Sequence, residues 1–203
     1  MENDGKMSVE RSLEIISGAI ELGHRDVERN AGTPMIMWGV LMSVTGCLVW
    51  LLWKLTGNSH WNMLWFAACA VGWIAYGLVQ RKDHKERKPL TYVWKIIRLV
   101  WTVFGLLALA VAVVGSLSLD GSVYGASLPI VAVMILLLML ASSVTAYVLK
   151  SNVYGIFIGA NIIFVNYALM YPGPSEALCL ALSIITLLVF PGIIINKKAR
   201  KDN

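Results

Sequence analysis

The amino-acid sequence predicts an all-α integral membrane bundle of six transmembrane helices, arranged as three helical hairpins and preceded by an N-terminal cytoplasmic amphipathic helix. Three observations lead there. The mean hydropathy is +0.69, with 58% hydrophobic and 14% charged residues, whereas soluble domains carry about 25% charge. Six continuous apolar runs are each close to the roughly 20 residues that a helix needs to cross about 30 Å of hydrocarbon. Finally, of 17 Lys and Arg, only Lys54 borders the outer side of those runs. Apolar runs without alternation favour helix over strand, because a helix satisfies its own backbone hydrogen bonds in lipid.

Residues 1–33 form the first unit. Over residues 8–30, Val9, Leu13, Ile16, Ile20 and Val27 recur at steps of three and four, with Gly23 in the missing place. This is an amphipathic helix with a narrow apolar seam. Ser8 suits the N-cap, Glu10 and Glu14 the early turns, and Arg29 the last. Asn30 and Gly32 are expected to end this helix before Pro34 opens the first span. Four basic and seven acidic residues give residues 1–33 a net charge of −3, so the unit is poorly suited to an anionic leaflet. Its seam, Leu13, Ile16, Ile20 and Val27, is a candidate docking face. It is read either as folded onto the cytoplasmic ends of the bundle or as taking a partner.

The transmembrane domain, 34–195, divides into spans at about 34–55, 61–80, 96–118, 126–149, 153–171 and 177–195, all free of Asp and Glu. A basic tail, 196–203, follows. Basic residues collect in the N-terminal segment, in 81–98, at Lys150 and in the tail; the connectors near 56–60, 119–125 and 172–176 have none. The positive-inside rule then puts both termini on the cytoplasmic side of the membrane. The stretch "RKDHKERK", in which every residue but His84 is charged, becomes the cytoplasmic loop between spans 2 and 3. Arg81, Lys82, Lys85, Arg87, Lys88, Lys197 and Lys198 are the candidate contacts to anionic headgroups.

Trp50, Trp53, Trp61 and Trp65 gather at the first outer turn and Trp38 and Trp94 near inner ends, as an aromatic belt requires. Trp73 and Trp101 lie deeper and are expected to pack between helices. Gly39, Gly46, Gly72, Gly77, Gly105, Gly155 and Gly159 are expected small-residue contact points. Pro129, and Pro191 with Gly192, are expected to bend spans 4 and 6. An ungapped shift of 116 residues lays Gly39 on Gly155 and Gly57 on Gly173, the pattern of a parallel repeat of the first hairpin in the third.

Chemistry-bearing residues are few. Ionisable groups are the usual functional pointers inside a bundle, and none stands at mid-depth, which disfavours transport coupled through buried carboxylates, a charged filter and a carboxylate-based enzyme. His24, His60 and His84 lie in separate surface segments and cannot form a bis-His or HExxH-type site. Cys47, Cys69 and Cys179 sit within apolar runs without disulfide or zinc spacing. There is no GxSxG and no Walker A sequence. The remaining polar intramembrane groups are Thr45, Ser142, Ser143, Thr145, Asn161, Asn166, Ser183 and Thr186. Ser142, Thr145, Asn161 and Asn166 are candidates for interhelical hydrogen bonds or a polar cavity. An unpartnered amide at the depth of Asn161 costs several kcal/mol, so Asn161 should face another helix.

Ser12, Leu13, Ile16, Asn30, Gly32, Pro34, Trp38 and Gly39, followed by Gly57, Asn58, Trp61, Asn62, Leu64, Trp65 and Phe66, resemble a group of small, uncharacterised bacterial polytopic membrane proteins. Those proteins share an acidic amphipathic N-terminal helix, a Gly-x-Pro junction leading to Trp-Gly, and Trp-Asn-x-Leu-Trp-Phe at span 2. The resemblance covers roughly the first third of the chain and implies a bacterial inner-membrane setting, without an activity, substrate or catalytic residue. Taken together, the sequence predicts a non-enzymatic inner-membrane protein acting through protein contacts at its cytoplasmic face. The alternative is a small uncoupled transporter or channel for neutral or hydrophobic molecules. No cofactor, metal or nucleic acid is expected. The expected partners are the lipid bilayer, a second copy of the chain, or a soluble cytoplasmic protein.

Overall fold

The computed structural model describes residues 9–82, 92–118, 129–149 and 153–201, and every regular element in them is helical. Helix α1 spans Val9–Thr56, α2 Leu64–Lys82, α3 Tyr92–Ser118, α4 Ile130–Val148, α5 Val153–Met170, α6 Pro174–Ile184 and α7 Phe190–Lys201. A 3₁₀ turn, Ser59–Met63, introduces α2, and a π-helical turn, Ile185–Val189, joins α6 to α7. Five stretches are long and apolar enough to cross a membrane: Gly32–Thr56, Ser59–Leu78, Lys95–Ser116, Ile130–Val148 and Pro174–Lys197; Tyr154–Met170 is a shorter apolar helix. This is the make-up of a multi-pass membrane protein.

The spine of the bundle is α1 lying antiparallel against α6, the π turn and α7. Glycines recur every seven residues along α1, at Gly32, Gly39 and Gly46, and each is buried. A methyl group added at Gly46 would stand 2.8 Å from Ala181 Cβ and 3.1 Å from the Ala177 carbonyl; one at Gly39 would stand 2.7 Å from Val189 Cγ2. Gly32 in turn lies against the Asn196 side chain and the Gly192 carbonyl. Small residues let backbones approach in this way, which favours helix pairing where lipid is as apolar as the side chains. On the same helix Met35 and Val49 are buried, and the Ser43 hydroxyl donates to the Ala181 carbonyl at 3.3 Å.

Against the expected break at Asn30 and Gly32, α1 runs unbroken for 48 residues with Pro34 inside it. Pro34 costs one backbone hydrogen bond, but the helix has packing on both sides of it to hold it together. Gly32 is not a left-handed cap: the described glycines with positive φ are Gly57 (68°) and Gly173 (141°). Its missing side chain admits α7 instead.

The window Pro174–Lys197 is 56% buried, whereas Lys95–Ser116 is only 6% buried, so α6 and α7 are central and α3 is peripheral. One core cluster joins Met35, Ile97, Leu138, Tyr154, Leu187 and their neighbours; a second joins Ala132, Ile135, Val165 and Ala168. Tyr154, 2% exposed, donates its hydroxyl to Met35 Sδ at 3.8 Å.

The turn between α1 and α2 is tied by side chains. Thr56 Oγ1 donates to the Leu52 carbonyl at 2.7 Å and accepts from Trp61 Nε1 at 2.8 Å and Asn58 N at 3.3 Å. Asn58 Oδ1 accepts from His60 N at 2.9 Å. At the corresponding turn of the last hairpin, Glu176 Oε1 accepts from the Gly173 N–H at 2.8 Å, and the Glu176 N–H returns a bond to the Gly173 carbonyl at 3.0 Å.

Several expectations need correction. Trp73 is 69% exposed and meets Trp38 edge to face instead of lying between helices. Trp101 does pack, half-buried, against the first core cluster. Gly72 abuts the Trp38 ring, but Gly77, Gly105, Gly155 and Gly159 have nothing within 4 Å of an added methyl. Pro129 precedes α4 and starts it without bending it. The paired glycines of the proposed repeat differ in setting, since Gly39 is clamped against α6–α7 and Gly155 is open. Of the basic loop, Arg81 and Lys82 close α2, while Lys85, Arg87 and Lys88 lie outside the described residues.

Candidate functional site

Buried polar residues of α4, α5 and α6 stand at about one level of the bundle. Antiparallel hairpins fix their levels: Ser142 lies seven residues before Leu149, where α4 ends, and Asn161 lies eight after Val153, where α5 begins. Asn161 is likewise nine residues before Met170, and Ser183 nine after Pro174. With a rise of about 1.5 Å per residue, the three share one level of the bundle to within about a turn. Helices α4 and α6 also touch directly. Ser142, Asn161 and Ser183 are all 0% exposed and Thr145 is 1% exposed.

Asn161 is the hub. Its Nδ2 donates to the Phe157 carbonyl on its own helix at 2.7 Å and across to Thr186 Oγ1 at 2.8 Å. Thr186 Oγ1 in turn lies 3.1 Å from the Leu182 carbonyl and 3.0 Å from that of Ser183, either of which accepts its single proton. Thr145 Oγ1 donates to the Ala141 carbonyl at 2.9 Å, and Ser143 Oγ to that of Met139 at 2.7 Å. Three buried oxygens in this cluster have no partner: Ser142 Oγ, Asn161 Oδ1 and Ser183 Oγ.

The cluster adjoins the π turn. Thr186 lies within Ile185–Val189, and the Phe190 N–H donates five residues back to the Ile185 carbonyl. Pro191 follows, fully buried, and supplies no N–H to the turn before it. π turns inside helices recur at functional sites. The sequence shows Pro191-Gly192 as a bend but gives no local sign of the widened turn.

The predicted candidates therefore separate. Ser142, Thr145 and Asn161 are all buried and lie within about a turn of one level, as does Ser183, and the side-chain bond that crosses between helices here runs from Asn161 to Thr186. Asn166 does not join them: it is exposed on α5 and donates from Nδ2 to the Ile162 carbonyl at 2.9 Å. On α1, Leu13 is 60% exposed, while the side chains of Ile16, Ile20 and Val27 lie outside the described set. Ile15, which stands off the predicted seam, is 54% exposed. Lys197 is exposed; the side chains of Arg81, Lys82 and Lys198 are not described. Cys47 and Cys69 are free and exposed and Cys179 is free and buried. Among the described residues no three His, Cys, Asp or Glu side chains stand together as a metal site.

No family model, curated protein or solved structure matches this chain.

Proposed function

We propose that this is a non-enzymatic, six-crossing protein of a bacterial inner membrane, with both termini cytoplasmic, that acts through protein contacts made by the N-terminal part of α1. The observation that carries this reading is the reach of α1. Contacts of Gly39 with Val189 and Gly46 with Ala181 define an antiparallel register in which Lys201, the end of α7, comes level with about Val27. Helix α1 continues to Val9, about 27 Å farther, and carries exposed Leu13 and Ile15. A helix that outruns its neighbour and keeps apolar side chains in water suits a helix-in-groove partner. The acidic excess of residues 1–33 argues for a protein and against an anionic lipid surface.

The sixth crossing is assigned to α5, whose 18 residues reach about 27 Å, close to the thickness of the hydrocarbon layer. The lopsided distribution of Lys and Arg supports the orientation.

Crosslinked recovery of partners from native membranes tests the reading. Full-length protein should recover a specific soluble protein, and both deletion of residues 1–30 and the double substitution Leu13→Asp, Ile15→Asp should lose it while the bundle remains folded. Recovery that is unchanged by the double substitution refutes the proposed contact.

A further inference from the structure

We propose that the junction of α4, α5 and α6 is a binding site for one ordered water molecule, held by Ser142, Asn161 and Ser183. The three unpartnered oxygens, on three helices at one level, are fully buried. Buried polar groups in folded proteins are bonded to protein or to ordered water, and groups too far apart to bond directly are commonly bridged by water.

The balance of donors and acceptors identifies the ligand. Ser142 and Ser183 each bring a hydroxyl proton and lone pairs, while Asn161 Oδ1 can only accept, its Nδ2 being engaged by Phe157 and Thr186. A water molecule accepts from the two serines and donates to Asn161 Oδ1. Its second proton is available to Thr145 Oγ1, whose own proton is committed to the Ala141 carbonyl. Such a water makes the three or so bonds typical of buried water. A bare cation would use the oxygen lone pairs but leave both serine protons unplaced. It would also be buried without a counter-charge, since none of the five side chains at this level is ionisable.

The π turn lies beside the site, and the Asn161–Thr186 bond is a direct tie from α5 into that turn. The water extends this tie to α4, so that one hydrated node holds three helices where α6 departs from regular α geometry.

The test uses the full chain reconstituted in lipid vesicles. Water-edited solid-state NMR should transfer magnetisation from water to the Asn161 side-chain amide, but not to the Leu138 methyl groups in the core on α4. Ser142→Ala and Ser183→Ala should each lower the folded-to-unfolded ratio about five-fold, because each removes one bond to the water. In a dry junction the sign reverses: alanine would relieve an unsatisfied hydroxyl, the ratio would rise, and no transfer would be seen. That result overturns the proposal. So does a higher stability in sodium chloride than in choline chloride at equal ionic strength, which would assign the site to a cation.

Discussion

Replacing Gly46 by alanine and comparing it with Gly105→Ala isolates the close approach of α1 and α6. Both glycines lie inside helices, so alanine brings each the same gain in helix propensity, about 1 kcal/mol. They differ in what the new methyl meets. At Gly105 nothing stands within 4 Å, whereas at Gly46 it would stand 2.8 Å from Ala181 Cβ, 3.1 Å from the Ala177 carbonyl oxygen and 3.1 Å from Trp65 Cη2. Carbon atoms rest about 3.5–4.0 Å apart, and neither a Cβ nor a carbonyl can rotate away, so α1 and α6 must separate by roughly 1 Å at this level. Separation also stretches the bond from Ser43 to the Ala181 carbonyl, already 3.3 Å long. Overpacking of this kind costs about 1–3 kcal/mol. For a chain of this length each kcal/mol moves the midpoint by about 2–4 °C. The midpoint of Gly46→Ala should therefore lie about 2–12 °C below that of Gly105→Ala in thermal unfolding of purified protein in one detergent. Equal midpoints, or a higher one for Gly46→Ala, would refute the close-packed seam.

Further outcomes follow from the turns, the amide hub and the orientation. Gly57→Asn should be tolerated, because a φ of 68° is a left-handed conformation that Asn adopts; Gly173→Asn should lower the midpoint, because a φ of 141° lies in a region nearly reserved for glycine. Thr56→Val should weaken the turn between α1 and α2 by about 1 kcal/mol, read as a lower midpoint of thermal unfolding. Asn161→Leu should lower stability by about 1–2 kcal/mol, since it removes the interhelical bond to Thr186, worth about 0.6 kcal/mol, together with the bond from the proposed water to Oδ1, worth about 1 kcal/mol; a loss above about 3 kcal/mol would mean that the amide bears more of the packing than its contacts indicate. A cysteine placed by Lys85→Cys should resist impermeant thiol reagents in intact cells and react after lysis, and labelling in intact cells would invert the proposed topology.

Much of the helix pattern can be read directly from the residues, because each apolar run is bounded by turn chemistry. Gly57-Asn58 and Gly173-Pro174 mark two hairpin turns, and both glycines have the backbone that only such positions require. The shared level of Ser142 and Asn161 is also legible, since two antiparallel helices joined by a short connector must bring equidistant residues to one level. Gly32 was harder to read, because the same residue that stops a helix in water allows close packing in an apolar bundle. The seven-residue recurrence from Gly32 through Gly39 to Gly46 carries the second meaning, and it becomes decisive only when the partner helix is known. Trp73 misled for a related reason: depth along a span says nothing about which side of the helix faces protein. The π turn leaves almost no trace, because Ile185–Val189 is as apolar as the α-helical residues around it, and only Pro191 hints that the hydrogen-bond pattern must change.

The unbroken course of α1 has a mechanical consequence. A rod of 48 residues, about 72 Å long, has no hinge between its free tip and the glycine seam. A partner that gripped Leu13 and Ile15 would hold a lever whose other arm is the bundle's own spine, and torque applied at the tip would pass along one helix toward Gly46 and Ala181 instead of dissipating in a linker.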